Sequence, residues 1–478
     1  MISQTPSPAL SGMLSGVWRV KWAKYRWVLI GGLVNIILIN HFFFNRTIID
    51  LGPFHATTDV DHAPSKLTVQ IPKKPLVATI PPPSKIFNNH DYDFDGEYVG
   101  WPLQRVCEES TWTPGLTFVC DNNSGGIGNI RNFILTCVRY AIEAGATQLV
   151  LPRIQRRSEE DLANIFEGVF QEFSYFFDEE HFRNSLGTFC PQMTIYNNVT
   201  DIPYAEVRTK VLEFYPKDLG DKDGCDERGI NRHLDMFRSK FDNWLETTQR
   251  MPNVTTPVSI RFRWAVFFEW PIYRDGPEFA ATFGGILRLR KDVQYLAAQA
   301  IKELHQVVGL KPTSKTLRAP YLGVHLRTES DALGFWPNFE EQSQGYLAQA
   351  ERHSLKHAYL ACGSPTEGKR FSDLAWQKLN LTVTTKLDLL KGNDLANLTA
   401  LSWDQQALVD FLILTKSTHF TGCSFSSFTM NIAFKRHLMT GGIQTRPWKS
   451  PGDAFTTLIG RFNSWFGDWM FMYECMWP

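Results

Sequence analysis

The sequence predicts an α/β protein: two Rossmann-like lobes facing a cleft, behind a single N-terminal transmembrane helix and a stem. Three observations predict it. Strand-like apolar runs alternate with helix-spaced apolar residues in two separate stretches, near 116–151 and near 321–438, and such alternation builds parallel sheets. An uncharged run at 27–44 is just long enough to cross a bilayer. A polar, proline-rich stretch then separates that run from the body of the chain.

Composition bounds what the body can be. The chain has 478 residues, with 49 Lys+Arg against 49 Asp+Glu. Zero net charge argues against a nucleic-acid binder, which carries a basic excess. At 43% hydrophobic and 21% charged residues, the chain is neither disordered nor fibrous as a whole. Its 8 cysteines include no C-x-x-C pair, which argues against a zinc ribbon or a thioredoxin-type site. They permit up to four disulfides in an oxidising compartment.

Residues 1–26 read as a cytosolic tail and 27–44 as the anchor. Arg19, Lys21, Lys24 and Arg26 precede the run, whereas only Arg46 follows it before Lys66. The positive-inside rule therefore puts the tail in the cytosol and the body outside it. Bulky Phe42, Phe43 and Phe44 stand where a cleaved signal peptide needs small residues. Residues 45–96 read as a stem: Pro64, Pro72, Pro75 and Pro81-Pro82-Pro83 favour extended polyproline II. Sequons at Asn45, Asn122, Asn198, Asn253, Asn380 and Asn397 fit a lumenal body, although Asn45 lies too near the membrane to be a good acceptor.

The first lobe is expected over 97–290. LTFVC at 116–120 reads as a buried strand, and the polar, Gly-rich DNNSGGIGN follows it. Ile130, Phe133, Ile134, Cys137, Val138, Ala141 and Ile142 then share one helical face, closed by Gly145. Residues 148–151 form the next strand and complete a βαβ unit. The region 155–290 is rich in Phe and has no clear period. The second lobe is expected over 291–445. It has strands at 321–326, 358–361 and 419–421, and helices at 403–415 and from 428 to about 438. Residues 446–478 are unusually aromatic; as a helix they could pack back on the first lobe and bury Trp465, Trp469 and Phe471, or bind a partner or lipid surface.

Three segments carry candidate chemistry. The loop Ser124–Asn129 (SGGIGN) puts glycine amides at a helix start, where phosphates and sugars bind; a plain tight turn reads equally well. Asn129 and Arg131, beside that helix start, add weight to the binding reading. Arg327 follows the strand YLGVHL at the end where α/β folds hold ligands. A guanidinium there grips a diphosphate through paired hydrogen bonds, while pairing with Glu329 or Asp331 is the purely structural alternative. Ser424, Ser426, Ser427 and Thr429 cluster at the start of the helix after His419; they suit phosphate oxygens, or simple N-capping.

In this order and spacing the segments resemble the protein O-fucosyltransferase family and its plant and fungal relatives, over roughly 117–440. The run His325-Leu-Arg327-x-Glu329-x-Asp331-x-Leu333-x-Phe335 is similar to the family's central motif. Ser427-Phe428-Thr429, with His419-Phe420-x-Gly422 before it, is similar to its phosphate-binding loop. Asp410 matches an acidic residue near the base, and Tyr359-Leu360-Ala361 and Phe177-Asp178-x-x-x-Phe182 echo the plant branch. The resemblance implies a GT-B fold and inverting, metal-independent transfer from GDP-fucose, with no cofactor. By carry-over Arg327 neutralises the β-phosphate, and His325 and Asp410 line the nucleotide pocket. Ser426, Ser427, Phe428 and Thr429 hold the diphosphate; Gly125, Gly126 and Asn129 shape the donor–acceptor junction, with Asn129 at the reacting region. The acceptor is a protein or glycan hydroxyl. The layout of tail, anchor, stem and body is similar to that of Golgi or ER type II membrane glycosyltransferases.

One departure stands out. One family branch carries a glutamate base in the Gly-rich loop, where this chain has Gly126 and Ile127. Glu329 is the candidate base that remains, although its place suits pairing with Arg327 equally well. A glycan on Asn122 would block the site, so that sequon is expected to be unmodified. Two other readings stay open: the same fold with a UDP-sugar such as UDP-rhamnose, and a non-catalytic carbohydrate- or protein-binding module. The D-x-D strings at Asp59, Asp91, Asp93 and Asp221 read as solvated turns. His353 and His357 lack the glutamate of H-E-x-x-H and read as surface histidines, so no metal site is expected. Arg153, Arg156 and Arg157 form a basic patch that reads as solvated surface, with acceptor or membrane contact as the alternative.

Overall fold

Two parallel sheets organise the chain in the computed structural model. It describes residues 94–158, 162, 164, 168–204, 210–219, 236–263, 270–272, 274–310, 319–332, 336–440, 452–460 and 475–478. The expected anchor at 27–44 and most of the stem lie outside these residues. Among the described residues no helix is long and apolar enough to cross a membrane.

The first sheet has the order β5-β2-β1-β7-β6 and every pairing in it is parallel. Its strands are β1 (Thr113–Val119), β2 (Ala146–Val150), β5 (Thr194–Tyr196), β6 (Leu212–Phe214) and β7 (Val258–Phe262). A two-stranded antiparallel ribbon, β3 (Ile154–Gln155) with β4 (Phe170–Gln171), stands apart. The last five residues of β1 are all buried, because a parallel sheet is covered on both faces. The cover begins with α1 (Trp101–Glu109) and α2 (Ile127–Glu143), the latter buried almost all round.

The expected strand, loop and helix at 116–144 are all present, but α2 starts three residues earlier than the periodicity suggests. Gly126 is the extended N-cap, so Ile127, Gly128 and Asn129 form the first turn. Gly145, at φ 71°, closes the helix in the left-handed region that glycine tolerates best. A Cys120–Cys137 disulfide ties the end of β1 to the middle of α2 across a sequence separation of 17. Closing a loop of that length stabilises by about 3 kcal/mol.

The irregular region 155–290 supplies three of the five strands of this sheet. The reason is packing: Phe214, Phe237, Phe241, Phe262, Tyr140 and Trp270 are buried and meet at ring separations of 4.9–6.4 Å. Here α3 (Glu179–Phe189) leads into β5, α4 (Phe237–Thr247) joins β6 to β7, and α5 (Pro277–Thr282) follows β7. Asp178 caps α3 by accepting from the His181 amide at 3.1 Å. A second disulfide, Cys107–Cys190, joins the C-cap of α3 to α1.

The second sheet has the order β10-β9-β8-β11-β13-β12. It comprises β8 (Ala319–Leu326), β9 (His357–Cys362), β10 (Thr382–Thr384), β11 (Ser417–Cys423), β12 (Gly452–Asp453) and β13 (Thr456–Ile459). All its pairings are parallel except β12 with β13. Around it lie α6 (Lys291–Val307), α7 (Phe339–Arg352), α8 (Pro365–Leu379), α9 (Lys386–Leu389), α10 (Gly392–Ala400), α11 (Trp403–Thr415) and α12 (Ser427–Thr440). The helix expected at 403–415 has those bounds because Ser402 and Gln405 form a capping box.

Cys475 is disulfide-bonded, whereas Cys362 and Cys423 are free thiols, so the 8 cysteines do not make four bridges. Trp465, Trp469 and Phe471 lie outside the described residues. The last described residues, 475–478, are buried, with the Trp477 ring against Phe279 and Phe283 at 5.7 and 4.8 Å.

Candidate active site

The carboxyl end of β8 carries the central motif. His325 is in the strand, and Arg327 is the first residue beyond it. Gln342, fully buried on α7, clamps this exit: it accepts from the Arg327 amide at 2.9 Å and donates to the Arg327 carbonyl at 2.8 Å. Tyr346 donates to the His325 carbonyl at 2.9 Å. The backbone on both sides of Leu326 is therefore fixed by two side chains of one helix.

The Arg327 guanidinium is ion-paired with Glu329 and donates to both oxygens of Asp331 at 2.6 Å. Burial opposes its charge, but the two carboxylates outweigh burial and its pKa is raised. Glu329 also accepts from the Gly363 amide at 2.9 Å. Both Glu329 oxygens are therefore taken, one by the guanidinium and the other by the amide, and this geometry is that of the pairing role. Asp331 is shared with Arg157, an ion pair between the segment after β3 and the loop after β8. For Asp331, burial is overcome by its bonds to Arg327 and Arg157, and its pKa is lowered. Arg157 is thus not solvated surface; its side chain is 9% exposed.

His325 joins this strand end to the third segment. Its Nδ1 lies 2.7 Å from the Thr429 hydroxyl and its ring 4.6 Å from that of Phe428. Burial, and then the Arg327 charge, push its pKa down to about 3, so the imidazole is neutral at physiological pH. Gly422 makes room for this contact: a Cβ there would lie 2.7 Å from the Thr429 hydroxyl. Ser426 and Ser427 open α12, whereas Ser424 packs against Gly460, 2.0 Å from where a Cβ would stand.

The Gly-rich loop meets α12 directly. A Cβ on Gly128 would lie 2.7 and 2.8 Å from backbone atoms of Ser427 and Phe428. The N-termini of α2 and α12 therefore touch main chain to main chain. Both present free amides and positive potential. Gly125 has φ 85°, with the Asn129 amide 2.8 Å from where its Cβ would be. Gly126 has open space around it. The buried Ser124 hydroxyl has no hydrogen-bond partner among the described residues.

Arg131 does not belong to this group, contrary to expectation. It is one residue too far round the helix: it donates to Asn431 at 3.0 Å, to the carbonyls of Gly284 and Trp477 at 2.9 and 2.7 Å, and to that of Pro478. Burial pushes its pKa down to about 10 against the opposing charge of Asp95. It is a structural anchor for residues 475–478.

Asp410, on α11, is buried with both oxygens engaged: Tyr359 donates to one at 2.6 Å and Lys386 to the other at 2.5 Å. Tyr359 is three residues before Cys362, which pairs with Leu326 across β9 and β8. Asp410 therefore sits about 10 Å back along the sheet from the Arg327 end. Sequence reasoning missed Gln342, Lys386, Gly128 and the role of Arg157. Of these, only Gly128 carried a local signal, as the third glycine of its loop. Of the D-x-D residues, Asp95 is described and pairs with Lys435 at 2.8 Å; burial is overcome by Lys435, with Lys416 and Arg288, and its pKa falls to about 2. His353 is half-buried and stacks on His419 at 4.0 Å, so it is not a free surface histidine. Among the described residues no three His, Cys, Asp or Glu side chains converge on a point.

An α/β chain with two parallel sheets, and an arginine at a strand's carboxyl end among helix N-termini, has the build of a glycosyltransferase. The chain belongs to the GDP-fucose protein O-fucosyltransferase family, whose profile matches residues 116–439. The family named from the motifs is thus borne out, over nearly the span they marked. No curated protein matches the chain significantly. Among solved structures, POFUT1 in complex with GDP is 12% identical, with a TM-score of 0.43, covering 73% of this chain and 100% of that one. An Arabidopsis thaliana FUT1 mutant in complex with GDP is 10% identical, with a TM-score of 0.36, covering 70% and 71%. The fucosyltransferase NodZ from Bradyrhizobium is 15% identical, with a TM-score of 0.36, covering 68% and 92%.

Proposed function

We propose that the chain transfers fucose from GDP-fucose to a hydroxyl of a protein or glycan acceptor, with inversion and without a metal. The proposal includes a GT-B arrangement of the two sheets and a type II topology, with the body in the lumen of the Golgi or ER. The observation that carries it is Arg327, fixed at the exit of β8 beside the start of α12. In this reading the acceptor oxygen attacks C1 of fucose from the face opposite the β-phosphate. The C1–phosphate oxygen bond breaks, and its electron pair leaves with GDP. Arg327 and the amides of the first turn of α12 meet the growing charge. Glu329 is tied to Arg327 and Gly363, so departure of GDP runs ahead of deprotonation. The acceptor proton then passes to water or to the departing phosphate.

The test is a titration of the full-length chain with GDP, GDP-fucose, UDP and UDP-rhamnose by calorimetry, with EDTA present. GDP and GDP-fucose are expected to bind, and the UDP ligands are not. Preference for UDP would overturn the donor, and silence from all four would leave a binding module. Arg327→Ala is expected to lower kcat by about 10²–10³-fold, the loss typical of one such donor. Turnover undiminished in that variant would sink the mechanism.

A further inference from the structure

The cluster around Arg327 holds more charge than the reaction described above uses. Both terminal nitrogens of Arg327 are engaged, one by Glu329 and the other by Asp331. The two paired-donor edges of the guanidinium, Nε with Nη2 and Nη1 with Nη2, both include the nitrogen that Asp331 holds through both its oxygens, so a phosphate seeking a paired grip competes with that carboxylate.

The two carboxylates are not equivalent. Glu329 is pinned by the main chain: the Gly363 amide donates to it at 2.9 Å, and its oxygen fills the space where a Gly363 Cβ would stand. Asp331 instead has a second cation, Arg157. That guanidinium is steadied by the Leu162 carbonyl, to which its Nε donates at 3.1 Å. If Asp331 leaves Arg327, it is still ion-paired in a largely buried place, where a stranded carboxylate is costly.

Resting on the donor reading above, we propose that Arg157 is a positioning residue for donor binding. It draws Asp331 away when a nucleoside diphosphate arrives, and so opens one edge of Arg327 to the phosphate. Two guanidiniums and two carboxylates form a neutral set at rest. After the exchange Arg157 and Asp331 form one neutral pair, and Arg327 faces Glu329 and the phosphate. Without Arg157, Asp331 stays on Arg327 and repels the incoming anion. Because Arg157 lies between β3 and β4 and Asp331 follows β8, the exchange also ties donor binding to a contact between the two halves of the chain.

The test is GDP affinity by calorimetry on the full-length wild type, Arg157→Gln, Asp331→Asn and the double variant, below the melting temperature of each. Arg157→Gln is expected to weaken GDP by roughly tenfold or more, the scale of a partly buried charge pair. Adding Asp331→Asn is expected to recover most of that loss, since the competing carboxylate is gone. Asp331→Asn alone is expected to bind GDP at least as tightly as wild type, and it tests the competition even if Arg157→Gln fails to fold. A double variant no tighter than Arg157→Gln would overturn the exchange and leave direct phosphate contact or a structural role. So would a tenfold loss in Asp331→Asn, or unchanged affinity in Arg157→Gln. Failure of the wild type to bind GDP would instead overturn the donor reading, and this inference with it.

Discussion

His325 shows what burial does to one side chain. Its ring is held by Thr429 and Phe428 beside a permanent positive charge. In the folded chain it titrates near pH 3, whereas the unfolded value is near 6.5. Between those values the unfolded state takes up a proton that the folded state refuses. Its contribution to stability is therefore complete above about pH 6.5 and is lost as pH falls toward about 3. Urea melts of wild type and His325→Asn from about pH 4 to 7 check this. The wild type should lose stability faster on acidification, and parallel curves would count against it. His181 and His305 are also pushed down, chiefly by burial, so the difference between the two proteins is the readout. At this scale the sequence made Arg327 and His325 legible, because their neighbours in the chain define a motif. Arg157, Gln342 and Lys386 were not legible. Each acquires its meaning from a partner 15–174 residues away, which no local pattern encodes.

Elements whose apolar period is unbroken were readable: β1, α2, β8, β9, α11 and α12 lie where alternation and spacing put them, within a few residues. The short strands β5 and β6, three residues each, hold too few positions to show a period. Of the two, β6 is placed by Phe214, whose ring packs on those of Phe237, Phe241 and Trp244. The junction of α2 with α12 makes a prediction at this scale. Gly128→Ala drives a methyl group into the main chain of Ser427 and Phe428, at 2.7–2.8 Å. Main chain cannot rotate away, so the helix ends must part, and about 1–3 kcal/mol of stability is expected to go with them. Gly126→Ala, two residues earlier, meets nothing within 4 Å in a backbone conformation any residue adopts. It is expected to change stability by less than about 0.5 kcal/mol. Thermal melts of the two variants decide the point, and equal melting temperatures would show that the helix starts do not touch as described.

At the scale of the whole molecule, the sequons test the proposed lumenal placement of the body. Asn198, Asn253, Asn380 and Asn397 are all exposed, so a transferase in an oxidising lumen can reach each of them. Asn122 is half-buried, and the two residues that complete its sequon are buried: the Asn123 side chain donates to the Arg153 carbonyl at 2.6 Å and accepts from the Gln155 amide at 2.9 Å, and Ser124 is 1% exposed. A glycan on Asn122 would require this loop, which leads into α2, to come apart. The disulfides Cys107–Cys190 and Cys120–Cys137 fit the same compartment. Glycopeptide mass spectrometry on the full chain made in a secretory host is expected to find glycans at exposed sequons and none at Asn122. A body free of glycans at all four exposed sites would remove the main support for the lumenal topology while leaving the transferase reading untouched. Full occupancy at Asn122 would do the reverse, because an active site beside the start of α2 cannot share that loop with a glycan.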